Sequence, residues 1–179
     1  MKIKVRDYGP RMDREMQSLC DTLNALPGVH TVDSCGGHGK DSPGVFFFCT
    51  SLDSLAQIQR AVDPRYGGQK VWWTVRGTTT DTAQYGTTLL FLLDAERPYR
   101  TKRNSRHDYE PAYYYDTGLI IANLKLLHGT KWGRDACKGI YHDCPKRIWN
   151  DYLAECDRLE SEYKGKVRRS RRSKKGGSK

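Results

Sequence analysis

Apolar positions along the chain recur in two periods, and the switches between them mark out the elements. Met12, Met16, Leu19, Cys20, Leu23 and Leu26 repeat at three- and four-residue intervals, which predicts a helix over 12–26 closed by Pro27-Gly28. Residues 2–8 and 29–34 read as short strands. Gly44–Thr50, GVFFFCT, is apolar at nearly every position and predicts a strand covered on both faces. Thr50-Ser51-Leu52-Asp53 resembles a capping box. The helix it opens carries Leu52, Leu55, Ala56, Gln59 and Val62 on its inward face, and Asp63-Pro64 and Tyr66-Gly67-Gly68 close it. From Lys70 to Arg76, Val71, Trp73 and Val75 alternate with Trp72, Thr74 and Arg76, as in a half-buried strand. Thr87–Asp94 is a further apolar strand behind a Thr- and Gly-rich link. The order β-α-β-β-α-β-β predicts an α+β fold, a mostly antiparallel sheet with two helices on one face.

The second half changes in kind. Residues 112–128 predict a helix containing the apolar run LIIANLKLL, and a short cysteine-bearing loop follows. Residues 146–163 predict an amphipathic helix, with Ile148, Trp149, Tyr152, Leu153, Cys156, Leu159 and Tyr163 on one face and Pro145 at its start. The chain then divides into an α+β domain over 1–96 with a glycine-rich loop, a basic loop over 97–111, a helical annex over 112–163 packed on the body, and a disordered basic tail over 164–179.

With 179 residues and 37% hydrophobic side chains, the chain is long enough for one core and too apolar for wholesale disorder. No apolar run approaches the ~20 residues that span a bilayer. MKIKVRDYGP has no apolar stretch behind its charges, so a secretory signal and a membrane partner are not expected. The expected location is the cytoplasm, or the nucleus in a eukaryotic host. In a reducing compartment the six cysteines read as thiols rather than disulfides, with Cys20 and Cys156 on apolar helix faces.

The net charge of +10 is not spread evenly. Of 31 Lys and Arg, nine fall in 164–179, which holds no acid; the other 22 face all 21 Asp and Glu, so the first 163 residues carry +1. A cationic end draws in polyanions through counterion release, without reading sequence. Arg168, Arg169, Arg171, Arg172, Lys174 and Lys175 are the expected nucleic-acid contacts. A merely solubilising end is the alternative.

The densest chemistry lies in LPGVHTVDSCGGHG, Leu26–Gly39. Small residues after a strand let successive N–H groups converge into a nest for an anion. Ser34, Cys35, Gly36, Gly37, His38 and Gly39 are the expected ligand-binding residues, with His38 able to hold or release a proton near neutral pH. A plain glycine-rich turn is the alternative. The pattern P-G-V-x-T-x-x-S-C-x-G-H-G resembles a motif of small phage and bacterial proteins. It is also similar, at Ser34, Cys35 and Gly37, to the S-x-C-S-G-R segment of the wybutosine-synthesis tRNA methyltransferase family. That resemblance covers roughly residues 12–50, with His38 standing where the family has Arg and Gly36 in place of its Ser. It implies a site location, and S-adenosylmethionine as a conceivable cofactor, rather than the methyl-transfer activity.

Cys35, His38, Cys137 and Cys144, with His142 nearby, offer a zinc alternative if the late loop folds back. Cys35 and His38 are also candidate nucleophile and base, oriented by Asp33 or Asp41. Trp72 and Trp73 cannot share a face in an alternating strand, and at least one of Tyr113, Tyr114 and Tyr115 is expected at the surface. The leading expectation is a nucleotide- or nucleic-acid-binding protein. The alternatives are an RNA- or nucleotide-modifying enzyme with His38 as acid/base, and a phage-encoded protein-interaction module.

Overall fold

A computed structural model of the chain describes residues 13–37, 42–63, 68–82, 86–96, 110–137, 140 and 143–176. In order these form α1 (Gln17–Asn24), β1 (Val29–Cys35), β2 (Gly44–Cys49), α2 (Leu52–Val62), β3 (Trp73–Thr82), β4 (Gly86–Ala95), α3 (Glu110–Gly129), α4 (Lys131–Cys137) and α5 (Lys146–Gly176). The four strands make one antiparallel sheet in the order β1-β2-β4-β3. The α+β class and the helical C-terminal region stand as the sequence implied. The strand expected over 2–8 lies outside the described residues.

Strand alternation separates the faces of this sheet. Val45, Phe47, Phe91, Leu93, Trp73 and Ala95 join Leu19, Cys20 and Leu23 of α1, Ile58 and Ala61 of α2, and Ile120 and Leu124 of α3 in one core. Phe47 lies opposite Phe91 in the register, and their rings stack with centroids 5.6 Å apart. Helix α2 begins as its composition dictates, with the Ser51 hydroxyl accepting from Ser54 N–H at 3.2 Å. Its buried stripe is Ser54, Gln57, Ile58, Ala61 and Val62, while Leu52 is 84% exposed. The inward face is therefore turned from the expected one: Leu52 and Gln59 are exposed, while Leu55 still packs against the core and Val62 is buried as expected. Ser54 Oγ donates to Pro27 O and Ala61 O accepts from Asn123, so polar ties on the other stripe set the rotation.

Helix α3 is covered on all sides. Tyr115 is buried, while Tyr113 and Tyr114 are half-buried, so the surface exposure expected of one of the three is partial. A helix apolar around its whole circumference belongs between layers. Here α1 and α2 lie on one side and α5 on the other. Gly118 permits the close approach of α5: a Cβ there would sit 2.6 Å from Leu159 Cδ2. The cysteine-bearing loop expected after α3 begins instead as α4, whose first turn is held by Gly133 N–H donating to Thr130 Oγ1 at 2.9 Å. Arg60 Nη1 donates to Ala136 O at 2.9 Å and ties its far end to α2.

The expected tail is also helical through Gly176, continuous with the annex. No proline interrupts 146–176, Lys and Arg are good helix formers, and Glu160 pairs with Lys164 one turn on. At 1.5 Å per residue α5 is about 46 Å long.

The buried carboxylate of Asp116 anchors the start of β3 to α3. It accepts from Lys70 N–H at 2.7 Å, Val71 N–H at 2.9 Å and Trp73 Nε1 at 3.2 Å. Burial pushes its pKa up to about 6, against the pull of these donors and of the Lys70 charge. A folded pKa above the unfolded 3.8 means the native state binds the extra proton. Its stabilising contribution is complete below that unfolded value and fades as pH rises through about 6. Between pH 4 and 6.5 the urea stability of the wild type should fall by about 1–3 kcal/mol relative to Asp116→Asn, which cannot titrate. Parallel pH profiles for the two proteins would refute this.

Candidate functional site

The glycine-rich turn begins where β1 leaves β2. Ser34 is 5% exposed and its hydroxyl accepts from Asp13 N–H at 3.3 Å. Gly36 N–H donates to Asp13 Oδ2 at 2.5 Å, and Gly37 N–H reaches Cys35 Sγ at 3.3 Å. Gly37 adopts φ 83°, a conformation few residues other than glycine adopt. Gly36 N–H thus meets the chain's own Asp13 carboxylate while Gly37 N–H turns to Cys35, so these two N–H groups do not share one acceptor. Glu15 adds a second carboxylate: its Oε2 would lie 3.0 Å from a Cβ at position 36. A phosphate brought here would meet negative charge on an N–H already engaged. Cys35 is exposed at the strand end. His38, Gly39 and Asp41 lie outside the described residues, so the expected acid/base pairing with Cys35 is not placed.

Beside this turn runs a narrow notch of about 20 Å³ lined by Glu15, Met16, Gly36, Pro43, Tyr113, Tyr114 and Thr117. That volume suits a water molecule rather than a nucleotide. Lys166 of α5 stands over the Tyr114 ring, 4.3 Å from its centroid. Among the described residues, no group of three His, Cys, Asp or Glu side chains is placed to hold a metal ion. Of the zinc candidates, Cys35 is exposed and Cys144 is half-buried, Cys137 is placed only as the last residue of α4, and His38 and His142 fall outside the described residues.

The basic candidates are more clearly arranged. Arg168 and Arg169 are exposed on α5, and the helix carries positions 171, 172, 174 and 175 onward in the same rod. By the 3.6-residue period, positions 164, 168, 171, 172 and 175 fall along one side, all Lys or Arg in the sequence. Nearer the body, acids neutralise the helix. Glu160 meets both Lys70 and Lys164, and Arg158 pairs with Glu155 and Glu162. The Lys70 ammonium holds the Glu160 carboxyl below the usual carboxylate range. Past Glu162 the helix has no acidic residue. The basic segment 97–109 lies outside the described residues. Sequence reasoning left the exposure of Trp72 undecided: Trp73 is in the core and Trp72 is 58% exposed.

Comparison with protein families, curated proteins and solved structures finds no match to this chain. Among the described residues, no helix is long and apolar enough to cross a membrane.

The Asp13–Gly36 hydrogen bond gives the turn its shape. Asp13→Ala should lower stability by about 1 kcal/mol in urea unfolding and speed exchange of the Gly36 amide. Unaltered exchange at Gly36 would show that the turn holds its form without the carboxylate.

Proposed function

We propose that the protein binds nucleic acid through the C-terminal part of α5. One observation carries this reading: the basic residues that composition alone shows as a cluster lie on a single helix beyond its last acid, with positions 164, 168, 171, 172 and 175 along one side. Ordered cations on a rod follow a phosphate backbone with less entropy to lose than cations on a loose tail. The near-neutral remainder of the chain means that this end dominates the long-range field.

The glycine-rich turn has a different role in this reading. With Asp13 on Gly36 N–H and Glu15 beside it, the turn is a structural joint between the residues preceding α1 and the end of β1. Nucleotide binding at Ser34, Cys35, Gly36 and Gly37 would require that carboxylate to leave. The phosphate contacts are assigned to Arg168, Arg169, Arg171, Arg172, Lys174 and Lys175 instead. Contacts to phosphate alone position a duplex without specifying its sequence, so low sequence selectivity is part of the proposal.

Replacing those six residues by Gln keeps helix propensity and removes six charges. On duplex DNA, the slope of log K against log salt should flatten by up to about 5. Affinity should fall for all sequences alike. A slope unchanged in fluorescence anisotropy titrations across several salt concentrations would rule α5 out as the contact.

A further inference from the structure

Helix α5 packs on α3 along one side and keeps two large apolar side chains out of that seam. Tyr152, Cys156, Leu159 and Tyr163 lie on the α3 side. Trp149 and Leu153, one turn apart, are 43% and 42% exposed. The Trp149 indole is held in place: its ring lies 5.5 Å from that of Tyr152, whose hydroxyl donates to Asn123 of α3 at 2.8 Å. The steps from 146 to 149, 153 and 157 are three and four residues, so Lys146, Trp149, Leu153 and Asp157 form one ridge along the helix. Lys146 and Asp157 are exposed at its two ends.

Both end charges lack a counter-charge. Glu155, Glu160 and Glu162 of α5 each take part in an ion pair, whereas among the described residues Asp157 takes part in none. Lys146 likewise has no ion pair among the described residues, and it stands in the first turn, where the helix dipole disfavours a cation. An anion brought to Lys146 and a cation brought to Asp157 would satisfy both.

The occupant is argued from the order of these groups. The ridge runs cation, two apolar side chains, anion. Turned end for end it offers its anion to the cation, its cation to the anion and apolar surface to the middle, so it is complementary to an antiparallel copy of itself. An acidic peptide or a polyanion would meet Lys146 and be repelled by Asp157. A wholly apolar segment would cover both charges without pairing them.

We propose that this ridge joins two copies of the chain, antiparallel about a two-fold axis between residues 151 and 152. Trp149 of each copy packs on Leu153 of the other and Lys146 of each meets Asp157 of the other, so every contact occurs twice. Two apolar side chains from each copy make a small contact, which suits a weak dimer with a Kd of about 100 μM. The basic stretches of the two α5 helices then point in opposite directions, their midpoints about 55 Å apart at 1.5 Å per residue. This pairing does not depend on what the basic end of α5 binds.

Sedimentation velocity of the full chain from about 1 to 500 μM reads the mass in solution. The wild type should move from monomer toward dimer as concentration rises. Trp149→Ala and Leu153→Ala should each weaken dimerisation about tenfold or more, as loss of a central anchor does. Leu52→Ala, which removes the 84% exposed side chain of α2, should leave it unchanged. Lys146→Asp alone and Asp157→Lys alone each set like charges against one another and should weaken it, and the two together should restore it. Damage to the fold cannot produce that restoration. A wild type that stays monomeric at the highest concentration overturns the proposal, as does dimerisation indifferent to Trp149→Ala. Charge variants whose losses add in the double exchange overturn it too.

Discussion

One buried carboxylate holds the two halves of this protein together. Asp116 lies in the second turn of α3, and its two oxygens accept three donors from Lys70, Val71 and Trp73. Those residues lead into β3, the strand at one edge of the sheet. Without that acceptor, two backbone N–H groups and an indole would be left in the interior, at a cost of about 1–3 kcal/mol for each that stays unpaired. The same bonds orient Lys70, whose ammonium crosses to Glu160 at 3.1 Å and sits 4.7 Å from the Tyr115 ring and 5.3 Å from that of Tyr163. A single short segment therefore joins sheet, α3 and α5, and the positions of the exposed Trp72 and of the basic helix follow from it.

Helix α3 can play this central part because its neighbours satisfy its polar groups as well as cover its apolar ones. Asn123 donates to Ala61 O of α2 at 2.8 Å and accepts from Tyr152 of α5, also at 2.8 Å. Burial raises the Tyr152 phenol above its usual range, which favours the protonated form that donates to Asn123. Leu159 seated on Gly118 closes the rest of the α3–α5 contact. The polar bonds fix the rotation and height of α5, and the close approach fixes its distance. Such a held helix presents its cationic end in a defined direction.

The sequence carried the elements better than their faces. The strand patterns around Val45 and Leu93 and the capping serine of α2 depend on near neighbours, and each was legible. The rotation of α2 was not, because Leu52 and Gln59 look inward by periodicity until Ser54 and Ala61 find partners far along the chain in Pro27 and Asn123. Helix α4, Lys131–Cys137, is too short to show a periodicity, and what starts it is the contact of Gly133 N–H with Thr130 Oγ1. At the glycine-rich turn, nothing local announces that Asp13, 23 residues earlier, accepts from Gly36 N–H. Long-range polar pairing, rather than propensity, is what the pattern of residues conceals.

That distinction bears on how the surface divides its work. The carboxylates Asp13 and Glu15 gather at the glycine-rich turn, while the cations gather past Glu162 on α5, and Lys166 over Tyr114 is where the two regions adjoin. In the nucleic-acid reading proposed above, a polyanion is attracted by the cations of α5 and repelled by the carboxylates at the turn beside them. Electrostatic attraction alone cannot tell a single strand from a duplex, because both present phosphates. Discrimination needs a surface that recognises what only one of them exposes.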